Sequence, residues 1–193
     1  MYEREIPKRE QRELIRRAKE CDLSAFARLY EHYYQDIYNY IRYRVPDTPV
    51  AEDLASEVFL KALESIDSFT FRGLPLSVWL FRIARNLMVD YFRSRPSRPD
   101  LPLREELLPA EGGPSDVFER KLTQQQLTRG LSHLTGDQQE VIILKFVDGL
   151  SNTEVAQILG KSEGAIKSLQ HRALNSLNRI LEVDQTSEVS KKT

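Results

Sequence analysis

A chain of 193 residues is long enough for one ordinary domain or two small ones, and its 40% hydrophobic content supports packed cores rather than wholesale disorder. Its 28 basic and 29 acidic residues leave a net charge of −1, so affinity for a polyanion would have to come from charge segregated along the chain, which screening allows. A single cysteine, Cys21, excludes an intrachain disulfide and a cysteine-built zinc site, and His32, His133 and His171 are too scattered to ligate a metal, so neither metal nor cofactor is expected.

No amino-terminal apolar run reads as a signal peptide, and none elsewhere is long enough to span a bilayer, which predicts a cytoplasmic protein without membrane insertion. Residues 1–19 read as a charged, helix-prone extension with a frayed end, and Cys21 as a small, partly buried hydrophobe. Phe26, Leu29, Tyr30, Tyr33, Ile37 and Ile41 then recur at helical spacing behind Ser24, the expected N-cap. A second helix over about 50–66 buries Ala51, Leu54, Ala55, Val58 and Ala62 and turns Asp53, Glu57, Leu60, Lys61 and Glu64 outward. Glu57 and Lys61, four apart, can support each other by ~0.2–0.5 kcal/mol. Leu60 among those charges fits a partner surface better than plain solvation.

Residues 71–95 lace the one tryptophan and several other aromatics through arginines on one helix. Leu80, Ile83, Ala84, Leu87 and Tyr91 form its apolar stripe; Arg82, Arg85, Asn86 and Arg93 gather opposite, with Trp79 at their edge. The ordinary alternative is a solvated arginine face over a core helix. Arg72, Arg82, Arg85, Arg93, Arg95 and Arg98 against the lone acid Asp90 favour a single nucleic-acid strand instead, where each stacked base contributes about 1–3 kcal/mol.

Between 96 and 115, Pro96, Pro99, Pro102, Pro109 and Pro114 with Gly112 and Gly113 stop helices and predict a flexible, acidic linker. Helical spacing resumes over 116–183, and 184–193 reads as a mobile tail. The expected fold is all-α: two small helical domains, 20–95 and 116–183, joined by that linker.

The second domain is a helix-turn-helix by its punctuation. Thr135 with Gln138 and Ser151 with Glu154 have capping-box spacing, Gly160 supplies a turn that favours positive φ, and Ser162 can cap the next helix. In that helix Ile166, Leu169, Ala173, Leu177 and Ile180 point inward. Gly164, Lys167, Ser168, His171 and Asn175 are left outward with Arg172 on the flank, hydrogen-bonding and cationic groups suited to base edges and phosphates of a major groove. A helical hairpin with a polar face is the plainer reading.

Three segments, AEDLASEVFLKAL (51–63), WLFRIARNLMVDYFR (79–93) and GLSNTEVAQILGKSEGAIKSLQHRAL (149–174), resemble in order three signatures of the bacterial RNA polymerase sigma factors, extracytoplasmic-function (ECF) group of the sigma-70 family. The resemblance covers most of residues 20–182. It implies that Asp53, Glu57, Leu60 and Lys61 dock on the clamp helices of the core polymerase's largest subunit, and that the flap is a further contact. It implies that Phe71, Arg72, Trp79, Arg82, Arg85, Asn86 and Arg93 open and read the minus-ten element. Ser162, Gly164, Lys167, Ser168, His171 and Arg172 fall at contact positions for the minus-thirty-five element. The acidic linker would thread the polymerase, an anti-sigma factor would hold the chain inactive, and no catalysis would be its own. Leu169 and Leu174 stand where relatives often carry basic residues, so fewer phosphate contacts are expected there. The loop 68–76 matches loosely.

Two other functions compete with promoter initiation. A stand-alone helix-turn-helix regulator would bind duplex without polymerase and leaves the Trp79–Arg93 helix without a role. A recombinase would need a strand-rich catalytic core, which the first block lacks.

Overall fold

The structure, a computed structural model, describes residues 6–45, 47–70, 75–94, 130–131 and 133–190, with side chains through 180. The chain divides into two units, the first Met1–Arg42 with Asp47–Arg95, the second Tyr43–Pro46 with Pro96–Thr193. All regular structure among the described residues is helical, and no helix among them is long and apolar enough to cross a membrane. The proline-rich stretch expected as a linker, 96–115, lies outside the described residues.

The first unit begins with α1 (Lys8–Lys19), which buries Gln11, Leu14, Ile15 and Ala18 on one stripe and packs on α2 (Leu23–Arg42). Gln11 is buried at no polar cost because its Nε2 donates to the Tyr33 hydroxyl. The segment expected as an extension with a frayed end therefore carries a packed member of the first unit, held by an apolar stripe that its many charges obscure.

The joint between α1 and α2 differs from expectation in two ways. Asp22, rather than Ser24, caps α2: its Oδ1 accepts from the Ser24 and Ala25 backbone N–H groups at 3.0 and 3.2 Å and from the Ser24 hydroxyl at 2.7 Å. The helix starts at Leu23, two residues earlier than a Ser24 cap allows, so Asp22 stands at the N-cap position and its carboxylate faces the free N–H groups of the first turn. Cys21 takes φ 62° and is exposed rather than partly buried, because the chain reverses there in the left-handed region.

α3 (Thr48–Ser65) is capped by Asp47, whose Oδ1 accepts from the Val50 N–H at 3.3 Å, with Pro49 in its first turn. All five expected core residues are buried, and Phe59 joins them. A 3-10 turn, Ile66–Ser68, closes α3, and α4 (Leu76–Arg93) packs back on α3 and α2. Tyr40 and Phe81 meet edge to face at 5.1 Å in the resulting core.

The second unit contains α5 (Gly136–Ile142), a π-helical turn (Ile143–Val147), α6 (Asn152–Leu159) and α7 (Glu163–Ser190), with α5 and α6 both packed on α7. Val141, Leu144, Val155, Ile158, Ile166, Ala173 and Leu177 form its core. Gln139 is buried with its Nε2 donating to the Leu131 and Leu134 carbonyls at 2.8 and 3.3 Å. The tail expected as mobile from 184 is helical through Ser190. No glycine or proline stands between 181 and 190 to end α7 where the apolar spacing fades.

Candidate nucleic-acid interface

The buried side of α4 is Leu76, Val78, Leu80, Phe81, Ala84, Leu87 and Met88. Leu80, Ala84 and Leu87 belong to the expected stripe, while Ile83 and Tyr91 from that stripe are only half-buried. The expected pattern omitted Phe81 and Met88, which widen the packed face because both α2 and α3 lie against this helix.

That packing leaves Arg82, Asn86 and Arg93 exposed and Trp79 half-buried, at spacings of three, four and seven that align them on one face. Arg85 stands about 100° round the helix from Asn86, half-buried on the flank and engaged with neighbours in the fold. Arg93 meets Asp90 at 3.2 Å, but both side chains are largely exposed, so the pair holds the guanidinium loosely. The Trp79 ring lies against Phe69 with centroids 5.1 Å apart, which leaves one aromatic platform beside a row of donors. Phe71 and Arg72 lie outside the described residues.

On α3, Asp53, Glu57, Leu60 and Lys61 are all exposed, Leu60 by 56%, and Lys61 pairs with Glu57 at 3.5 Å. Sequence reasoning missed the aromatic row beside them. Tyr30, Tyr34 and Tyr38 recur every four residues on α2, Tyr34 stacks on Tyr38 at 6.1 Å, and Tyr30 meets Phe59 edge to face at 4.8 Å. The spacing was visible, but only the α2–α3 packing reveals that Tyr30 and Tyr34 meet Phe59, the residue before Leu60.

In the second unit both capping boxes form. The Thr135 N–H donates to Gln138 Oε1 at 3.0 Å, while Ser151 and Glu154 exchange bonds of 2.7 and 3.2 Å. Gly160 ends α6 at φ 65°, ψ 33°, in the left-handed conformation the turn needs. Ser162 Oγ then accepts from the Ala165 N–H at 3.2 Å and starts α7.

Ile166, Ala173 and Leu177 seat α7 on its unit, with Leu169 and Ile180 half-buried at the margins. Ser162, Gly164, Lys167, Ser168, His171 and Arg172 are all exposed on its first turns. Several are ordered along the helix: Ser168 Oγ donates to the Gly164 carbonyl at 3.0 Å and Arg172 Nε to the Ser168 carbonyl at 3.3 Å. Thr153 Oγ1 donates to Glu163 Oε1 at 2.9 Å, tying α6 to the start of α7. The arrangement offers an exposed helix face with hydrogen-bonding and cationic groups at its N-terminal end, the geometry with which a helix reads a major groove. Among the described residues no group of His, Cys, Asp and Glu is placed to hold a metal ion.

Residues 29–98 match the family Sigma-70 region 2, and residues 124–177 match Sigma-70, region 4. The chain is 42% identical over 174 residues to the ECF RNA polymerase sigma factor BldN of Streptomyces coelicolor, covering 89% of this chain and 66% of BldN. It is thus similar to a protein of which it spans just under two thirds. It is 33% identical over 169 residues to the ECF RNA polymerase sigma factor SigX of Bacillus subtilis, covering 82% of this chain and 84% of SigX. Among solved structures it is similar to the sigma factor RpoE of Bartonella quintana, crystallised in complex with the anti-sigma factor NepR. The TM-score is 0.65 and the identity 30%, over 82% of this chain and 98% of that one.

Proposed function

The chain belongs to the ECF group of the sigma-70 family, the non-catalytic subunits with which RNA polymerase starts transcription, and on that premise we propose how its surfaces divide the work. Asp53, Glu57, Leu60 and Lys61 dock on the clamp helices of the largest core subunit, and the second unit meets the flap. Phe71, Arg72, Trp79, Arg82, Arg85, Asn86 and Arg93 take the minus-ten element as it opens. Ser162, Gly164, Lys167, Ser168, His171 and Arg172 read the minus-thirty-five element as duplex. The first functional domain runs to residue 95 and takes in α1, 96–115 is the connection, and the duplex reader occupies 116–183.

The observation that carries this reading is the row of exposed Arg82, Asn86 and Arg93 with half-buried Trp79 at its head, an aromatic platform beside donors on a helix seated by its other face. Stacking supplies sequence-tolerant affinity for an unpaired base, and the guanidinium groups follow the phosphates. Opening is then a matter of binding the separated strand better than the duplex. The exposed Leu60 face, an apolar residue among charges, would be covered by core in the holoenzyme and by an anti-sigma factor when the chain is held inactive. A cytoplasmic location follows from that partner.

Reconstitution with core polymerase tests the reading. Promoter-dependent transcripts that require this chain are expected; no binding to core, together with tight duplex binding by the chain alone, would favour the stand-alone regulator instead.

A further inference from the structure

Lys19, the last residue of α1, reaches across fifty positions of sequence to the end of α3. Its ammonium donates to the Phe69 carbonyl at 2.6 Å and to the Asp67 carbonyl at 3.1 Å. Both carbonyls lie at the 3-10 turn that closes α3, where the Phe69 N–H is already bound to the Ile66 carbonyl at 3.0 Å and Ser68 Oγ to the Ser65 carbonyl at 2.7 Å. A cation suits this spot because helix ends leave carbonyls without intrahelical donors and carry partial negative charge. Phe69 is extended and buried, 7% exposed as a residue, and its ring meets Trp79 with centroids at 5.1 Å and planes at 52°. The side of Trp79 that faces the protein is therefore set by a ring whose own backbone is held by Lys19.

We propose that Lys19 is a positioning residue for strand opening: its ammonium fixes the Phe69 backbone, and the Phe69 ring in turn fixes the pose in which Trp79 meets an unpaired base. This rests on the reading of α4 as the strand-binding element. It gives α1 a role beyond packing, since a helix remote from the DNA-contacting row sets that row's aromatic member.

The test uses holoenzyme on a promoter recovered from a random-sequence library by selection with the wild-type protein, carrying 2-aminopurine in the opened stretch. Lys19→Met keeps the stem and removes the charge. It should slow opening of the duplex about tenfold, the rate equivalent of one net charge-assisted hydrogen bond. The same promoter, pre-opened as a mismatched bubble, should be used at the wild-type rate. In the free chain, where Trp79 is the one tryptophan, its fluorescence should become more readily quenched by acrylamide in Lys19→Met, and Lys19→Arg should restore both properties. Phe69→Leu applies the same test without touching α1 and should slow opening likewise. Wild-type opening by Lys19→Met or Phe69→Leu, an equal loss on duplex and bubble, or unchanged quenching would overturn the proposal. Trp79→Ala separates the layers: wild-type opening by that variant defeats the reading of α4, whereas slow opening by it beside normal Lys19→Met defeats the Lys19 inference alone.

Discussion

Asp22 does three jobs from one carboxylate: it caps α2, accepts from the Ser24 hydroxyl, and takes a fork from Arg17, whose Nη2 and Nε donate to Oδ2 at 2.6 and 2.9 Å. The Ser24 bond first, then the Arg17 bond and the Ala25 N–H, hold its carboxyl well below the usual carboxylate range. A depressed folded-state value means that ionised Asp22 stabilises the fold above the unfolded value of about 3.9, and that this contribution is lost as pH falls through the folded value. Asp22→Asn keeps a capping oxygen and removes the charge. Its Tm should therefore lie below wild type near neutral pH, with the gap closing as the solution is taken below about pH 4. A gap that stays constant through that acid range would show that shape, not charge, is what Asp22 contributes.

At the scale of elements, the turn between α6 and α7 and the face of α4 make separable claims. A Cβ on Gly160 would meet nothing within 4 Å, so the cost of Gly160→Ala is backbone strain alone, about 1–2 kcal/mol for a left-handed residue. Chemical denaturation should register that loss, with a smaller one for Gly160→Asn. A Cβ on Gly164 also meets open space, but at ordinary helical φ. Gly164→Ala should leave stability unharmed, so a loss of upstream-element binding in that variant would place the α7 N-terminus against DNA.

On α4, Arg82 belongs to the exposed row and Arg85 to its half-buried flank. Arg82→Ala should lower the log-log salt slope of single-strand binding by about 0.7, one phosphate's worth. Arg85→Ala should move that slope less and lower Tm more, because its side chain is half-buried against the fold. Equal slopes for wild type and Arg82→Ala would remove Arg82 from the phosphate track.

Much of this element-scale picture was legible beforehand because helical spacing and caps are local signals. The α3 core residues, both capping boxes, the Gly160 turn and the outward set on α7 all follow from residues within a few positions of one another. What escaped depends on contacts distant in sequence or on competition between neighbours. Asp22 and Ser24 are both competent caps, and only the start of α2 chooses between them. Phe81 and Met88 are buried because two helices, not one, lie against α4. The Lys19 bridge to Phe69 has no sequence signature at all.

At the scale of the whole molecule, the chain of near-zero net charge forms two units, each with its own core. Leu60 is exposed in the first unit, so an aspartate there meets water rather than a cavity and should leave that unit folded. Leu60→Asp is expected to weaken binding to core polymerase by at least about tenfold, or about 1.4 kcal/mol, measured by fluorescence anisotropy of the labelled chain. Lys167, exposed on α7 in the second unit, should leave that affinity untouched when replaced by alanine, and instead cost about 1–3 kcal/mol on the preferred upstream element. Because the two side chains belong to different units, the double variant should show the sum of the single losses to within about 0.5 kcal/mol in overall promoter binding. Wild-type affinity of Leu60→Asp for core would remove Leu60 from the docking face. A Lys167→Ala loss that is equal on every upstream sequence would reassign that lysine from a base edge to a phosphate.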